Sequence, residues 1–127
     1  MTTLAPDGTN FTLTGPNTAP VAVLIHGLGL NKGCWQWMTP DLKDSYRVLN
    51  YDLYGHGDTS DPVTEPNLSL FSKQLGDLLD YCKIQKAVII GFSLGCMIAR
   101  RFAQDAPQKL QGMVILRSPH RRSEAAQ

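Results

Sequence analysis

The most constraining feature of this sequence is the pentapeptide Gly91-Phe92-Ser93-Leu94-Gly95. It follows a short apolar run, 87–90, and precedes a segment with a helical pattern, 96–104. A strand that turns directly into a helix strains the backbone of the turn residue, and flanking glycines leave room for the chain to fold back. The sequence therefore predicts a strand, a sharp turn at Ser93 and a helix, with the Ser93 hydroxyl held at the carboxyl end of a sheet.

Apolar runs predict the other strands. Val21 to Ile25 is apolar at every position, which is typical of a strand buried on both faces, as in a parallel sheet. Further strands are predicted at 46–52 and 113–116, and a possible short one at 11–13. The segment 1–20 is otherwise rich in turn-forming residues.

Helices are predicted between these strands. Cys34 to Leu42 suggests a short helix interrupted by Pro40, and the segment 68–82 is apolar at spacings of three and four residues. The alternation of strands and helices predicts an α/β fold, a mostly parallel sheet with helices on both faces. We expect at most one domain over residues 1–127, with its core at about 20–120.

Three glycine-containing loops, 26–29, 55–57 and 91–95, each follow a predicted strand. In an open parallel sheet, sites lie beyond the carboxyl ends of the strands, so these loops are predicted to converge. A serine hydroxyl that attacks an acyl carbon creates an oxyanion, which needs N–H donors aimed at it. The backbone N–H groups of Leu94 and Leu28 are the candidate donors.

The order and spacing of three motifs resemble the amino-terminal half of an α/β-hydrolase over about residues 20–120. The motifs are His26-Gly27-Leu28-Gly29, the loop Asp52 to Ser60 and Gly91 to Gly95. The chain is most similar to the branch of small esterases, lactonases and carbon–carbon hydrolases. Relatives that open epoxides or remove halogens usually carry aspartate where this chain has Ser93.

The resemblance implies a role for each motif residue. Ser93 would be the nucleophile, and the backbone N–H groups of Leu28 and Leu94 would form the oxyanion hole. The supporting residues would be His26, Gly27, Gly91 and Gly95. Family members often have a further glycine where this chain has Cys96, which predicts slightly looser helix packing around a buried thiol.

The family's catalytic acid and histidine follow the fourth strand, and the sequence ends before either position, so the sheet is expected to be incomplete at its carboxyl end. Among the histidines present, only His120 could reach Ser93 as a base, and no carboxylate is well placed to orient it. Asp52 is predicted to accept hydrogen bonds from its own glycine loop. Loss of a triad histidine costs on the order of a millionfold in turnover, so the chain by itself is predicted to be nearly inactive. With the strand at 113–116 as an apolar edge, it is also predicted to be poorly stable.

Composition limits the other possibilities. The net charge of +1 gives no general attraction to nucleic acid. The start of the chain has no signal-peptide pattern, and no apolar run is long enough to cross a bilayer, so no membrane association is expected. Three widely spaced cysteines, Cys34, Cys82 and Cys96, are interpreted as reduced thiols of a cytoplasmic protein with no metal site.

The sequence therefore predicts a serine-dependent hydrolase of small carboxylic esters, lactones or related acyl substrates, which acts through an acyl-enzyme on Ser93 without metal or organic cofactor. Four aromatic residues either line an apolar substrate pocket or pack under the loops: Trp35, Trp37, Tyr54 and Phe92. The alternative is a non-catalytic binding or interaction protein that keeps the fold without a complete triad. The substrate and the oligomeric state stay open, and 121–127 is interpreted as the start of a further segment.

Overall fold

A computed structural model describes residues 3–62 and 64–116. Its strands are β1 (Thr3–Leu4), β2 (Asn10–Thr14), β3 (Val21–Ile25), β4 (Arg47–Tyr51), β5 (Ala87–Phe92) and β6 (Leu110–Leu116). Its α-helices are α1 (Thr39–Leu42), α2 (Leu68–Tyr81) and α3 (Leu94–Asp105). Two 3₁₀ helices cover Lys32–Trp35 and Pro107–Lys109. The tail 121–127 and His120 lie outside the described residues.

The strands form one sheet in the order β1-β2-β4-β3-β5-β6. The pairs β3–β4, β3–β5 and β5–β6 are parallel, whereas the pairs β1–β2 and β2–β4 are antiparallel. The prediction of a mostly parallel sheet is confirmed. The possible strand at 11–13 is present as part of β2, and its antiparallel pairing with β4 was not predicted.

Both faces of the sheet are covered, as predicted. All five residues of β3 are buried because their side chains point alternately to two apolar clusters. Val23 and Ile25 pack in the cluster that contains α2 and α3. Ala22 and Leu24 pack on the other side, against Trp35 and the chain that leads into α1.

The segment 34–42 corrects one prediction. It does not form a single helix interrupted by Pro40, because Pro40 lies in the first turn of α1. Proline is tolerated there since the first N–H groups of a helix have no partner inside the helix. The 3₁₀ helix Lys32–Trp35 precedes this helix and begins at the cap residue Asn31, whose side chain accepts from the Gly33 N–H.

No helix in the described part of the chain is both long and apolar enough to cross a membrane.

Candidate active site

Ser93 stands between β5 and α3 with backbone angles of φ 57° and ψ −115°. This left-handed φ is costly for a residue with a side chain, by about 1–3 kcal/mol, and such strain is concentrated at functional sites. The helix begins at the next residue, Leu94, two residues earlier than predicted. The strained turn predicted at Ser93 is therefore present.

The two glycines that flank Ser93 are required by close backbone contacts. A Cβ atom on Gly91 would overlap the carbonyl group of Gly95, and a Cβ atom on Gly95 would overlap the carbonyl oxygen of Ile25 at the end of β3. Any larger residue at either position would move the turn away from the sheet.

Cys96 lies directly beneath the turn and is fully buried. Its Sγ atom is 3.1 Å from the Gly91 carbonyl oxygen and 3.2 Å from that of Leu116. The same Leu116 oxygen accepts from the Ser93 N–H at 3.4 Å. The predicted buried thiol is thus present, and it bridges the ends of β5 and β6 where a glycine would leave a gap.

The loop after β3 lies against this turn. A Cβ atom placed on Gly27 would be 3.2 Å from the Ser93 Cβ atom and 3.2 Å from the Phe92 ring. The loops 26–29 and 91–95 therefore meet, as the sequence predicts. The third loop, 55–57, joins them through His56, whose ring centroid is 5.0 Å from that of His26.

His26 is fully buried and uses both ring nitrogens. The Leu53 N–H donates to its Nε2 atom at 2.9 Å, so the proton is on Nδ1, which donates to the Gly27 carbonyl at 2.7 Å. Burial lowers the pKa of His26, the bond to Gly27 opposes this effect, and the charge of His56 lowers the pKa further. The imidazole is therefore held neutral in one tautomer.

The Gly27–Leu28 peptide explains what this histidine orients. The C=O and N–H of a trans peptide point in opposite directions, so a fixed Gly27 carbonyl also fixes the direction of the Leu28 N–H. The Leu30 N–H adds a second bond to the Gly27 carbonyl at 3.1 Å. Among the hydrogen bonds of residues 3–62 and 64–116, none uses the Leu28 N–H. The Leu28 N–H can therefore donate to a ligand.

The Leu94 N–H is the other candidate donor. As the first residue of α3 it has no partner within the helix, and the positive end of the helix dipole lies there. A negative charge that develops beside Ser93 would be stabilised by this end of the helix.

Asp52 follows β4 and is completely buried. Its carboxylate accepts the N–H of Asp58 at 3.0 Å, which agrees with the predicted role in its own glycine loop. It also accepts the backbone N–H of Lys32 at 2.7 Å and lies 3.3 Å from the Lys32 ammonium. The contacts with Lys32 were missed by sequence reasoning, because no local pattern links residues 32 and 52.

Within the described chain, no histidine or carboxylate is hydrogen-bonded to the Ser93 hydroxyl. His56 Nδ1 bonds to the Tyr54 carbonyl at 3.0 Å. The prediction that His120 could reach Ser93 falls on a residue outside the described chain. Residues 3–62 and 64–116 also contain no group of three or more histidine, cysteine or acidic side chains that could hold a metal ion.

The four aromatic residues fall into different places. Trp35 is buried in the cluster behind β3 and β4, so it packs under the loops. Trp37 is 84% exposed. The Tyr54 hydroxyl donates to Asp7 at 2.7 Å. Phe92 lies against Gly27, beside the turn that carries Ser93.

With this geometry established, comparison with known proteins identifies the family. The family model described as "alpha/beta hydrolase fold" matches residues 20–126. The chain belongs to the alpha/beta hydrolase family. It is 38% identical over 87 residues to 3-oxoadipate enol-lactonase 1 of Acinetobacter baylyi, a match that covers 68% of this chain and 32% of that protein. It is 29% identical over 113 residues to human epoxide hydrolase 4, covering 87% of this chain and 31% of that protein.

Solved structures give the same fold. A hydrolase from Pseudomonas aeruginosa superposes with a TM-score of 0.87 at 28% identity, covering 99% of this chain and 48% of the other. Est816, described as an N-acyl homoserine lactone degrading enzyme, superposes with a TM-score of 0.83 at 29% identity, covering 91% and 44%. The chain spans between 29% and 43% of the length of the curated relatives it matches.

Proposed function

We propose that Ser93 is the nucleophile of a serine hydrolase that acts on small carboxylic esters, lactones or related acyl substrates. The observation that carries the proposal is the strained Ser93 turn at the start of α3, with the Gly27 loop packed against it. The proposal assigns to this turn one nucleophilic hydroxyl, that of Ser93, and two N–H donors, those of Leu28 and Leu94.

The proposed reaction has two steps. The Ser93 Oγ atom bonds to the acyl carbon, its proton passes to a general base, and the carbonyl oxygen becomes an oxyanion held by the Leu28 and Leu94 N–H groups. The carbon–oxygen bond to the leaving alcohol then breaks and the alcohol takes up the proton, which leaves an acyl-enzyme. Water hydrolyses this ester in the second step and restores Ser93. Neither step requires a metal or an organic cofactor.

The names of the relatives support acyl chemistry. They include an enol-lactonase, an N-acyl homoserine lactone degrading enzyme and the naproxen esterase of Bacillus subtilis, to which this chain is 25% identical. Human epoxide hydrolase 4 is also a relative, so family membership alone does not separate the two chemistries. Serine at position 93 favours the ester and lactone branch.

In this proposal Ser93 is the nucleophile, Leu28 and Leu94 supply the donors, and the general base and its orienting acid lie outside residues 3–62 and 64–116. Without that base, the donors would supply only a small part of the rate. Its three cysteines are free, which fits a protein of the reducing cytoplasm.

A non-catalytic binding protein that keeps the fold is the second candidate. Such a protein would bind a partner or ligand without a complete triad. The two candidates differ in whether Ser93 becomes covalently modified.

The test is to treat the full-length protein with a fluorophosphonate probe and compare the wild type with Ser93→Ala. We expect labelling of the wild type and complete loss of labelling in Ser93→Ala, because the probe bonds only to an activated serine. Ser69→Ala, which changes an exposed serine on α2, is the matched control and should label normally. Labelling that survives Ser93→Ala, or an unlabelled wild type, would contradict the proposal.

A further inference from the structure

The loop that begins at His26 and carries the Leu28 N–H ends at Lys32, the first residue of the 3₁₀ helix. Three contacts hold Lys32 to the carboxyl end of β4. Its backbone N–H donates to Asp52 Oδ1 at 2.7 Å, its carbonyl accepts from Asn50 Nδ2 at 2.8 Å, and its ammonium is 3.3 Å from Asp52 Oδ2. Both backbone groups and the side chain of one residue are therefore engaged.

The charges of this pair are removed from water. The Asp52 side chain is 1% exposed and that of Lys32 15% exposed. Burial of a carboxylate is costly unless it is paired and hydrogen-bonded, and in residues 3–62 and 64–116 the cation paired with Asp52 is Lys32. By contrast, Lys73 and Asp77 form a pair on the surface with both side chains at least half exposed.

The loop thus has an anchor at each end. At its start, His26 Nε2 accepts from the Leu53 N–H. At its end, Lys32 is held by Asp52. Asp52 and Leu53, which follow β4 directly, therefore fix the two ends of the 26–32 loop, and Leu28 lies between these ends.

We propose that Lys32, held by Asp52 and Asn50, is a positioning residue that fixes the 26–32 loop and so aims the Leu28 N–H at the oxyanion. This inference rests on the function proposed above for Ser93. Loss of one oxyanion donor costs about 10²–10³ in kcat, and a displacement of about 1 Å can cost about 10²-fold. Because the oxyanion exists only in and near the transition state, the effect falls on kcat and leaves KM nearly unchanged.

The experiment measures hydrolysis of p-nitrophenyl acetate by the full-length protein and its variants. Lys32→Met keeps the length of the side chain and the backbone bonds but removes the charge. We expect kcat to fall about 10- to 100-fold with KM within about twofold of the wild type. Lys32→Arg should restore most of kcat, because it returns a cation to Asp52. Lys73→Met is the matched control and should change neither constant.

Thermal unfolding and active-site titration of each variant separate positioning from simple loss of folded protein. A decrease in kcat per active site at a temperature where the variant is folded supports the proposal. An unchanged kcat, or a decrease that only follows the folded fraction, overturns it. If Lys32→Met does not fold, Asn50→Ala removes the bond to the Lys32 carbonyl and leaves the ion pair intact. A lower kcat at unchanged KM in Asn50→Ala then supports the proposal, and an unchanged kcat overturns it.

Ser93→Ala distinguishes the two proposals. Hydrolysis that persists in Ser93→Ala would reject the proposed function. Inactive Ser93→Ala together with normal kcat in Lys32→Met would reject the role of Lys32 alone.

Discussion

His26 shows how one buried side chain can serve several backbone groups. Its two ring nitrogens bond to Leu53 and Gly27, which belong to different loops, and it contacts no bulk water. The Nε2 acceptor is available only in the neutral ring, because imidazolium has two donors and no acceptor. Protonation would therefore break the bond to Leu53 and leave a buried charge.

The pKa of His26 predicts a pH dependence of stability. In the unfolded chain this residue has its ordinary pKa of 6.5, and burial lowers the pKa in the folded chain. The unfolded state therefore binds the proton more readily, so the stabilisation is complete above about pH 6.5 and is lost as the pH falls through the folded-state pKa. In urea unfolding at about pH 7.5 and about pH 5, the free energy of unfolding should decrease more for the wild type than for His26→Gln. Equal decreases in the two proteins would contradict this explanation.

At the scale of elements, α3 and β3 come into close backbone contact at the site. Gly95 in the first turn of α3 lies so close to the Ile25 carbonyl that a side chain cannot fit. This contact places the start of α3 directly beyond the end of β3, where the Gly27 loop begins. The short distance between helix and strand thus brings Ser93 and the loop together.

Two glycine substitutions test this packing against helix propensity. Gly95→Ala should lower the free energy of unfolding by about 3 kcal/mol or more, since overpacking against backbone has no flexible side chain to yield. Gly76→Ala in α2 is the matched control, because its Cβ atom would be 3.6 Å from Phe102, an ordinary contact. Alanine there should be neutral or stabilise by up to about 1 kcal/mol. Denaturant unfolding gives the free energy of unfolding of each variant. Similar effects of the two substitutions would refute the close-contact argument.

At the scale of the whole molecule, the two edges of the described sheet differ. The short strands β1 and β2 lie at one edge, and β6 lies at the other edge. On β6, Met113 is 39% exposed and Val114 is 42% exposed. Apolar edge strands of this kind pair readily with other chains.

The exposed strand predicts self-association of the 127-residue chain when it is produced alone. Val114→Lys should reduce this association, because a charge on an edge strand opposes strand pairing. Sedimentation velocity at several concentrations measures the effect. Tyr81→Lys, which places the same charge at a half-exposed aromatic residue of α2, is the control and should leave the association unchanged. A wild-type chain that is monomeric and unfolds cooperatively would contradict the prediction, and with it the expectation of poor stability.

Much of the fold could be predicted because its signals are local. The fully apolar run of β3, the three- and four-residue spacing in α2 and the glycines around Ser93 each lie within a few residues of one another. Proline at position 40 was interpreted wrongly, because proline both ends helices and begins them and only the backbone decides which.

The sequence by itself determined the alternating elements, the turn at Ser93 and the family resemblance, since short-range patterns of apolar residues and glycine specify strand, turn and helix. Tertiary structure decided the contacts between segments far apart in the chain: the bond from Leu53 to His26, the pairing of Lys32 with Asp52, and the antiparallel position of β2 beside β4. Only the folded backbone brings those groups within hydrogen-bond distance, so no pattern along the chain reveals them.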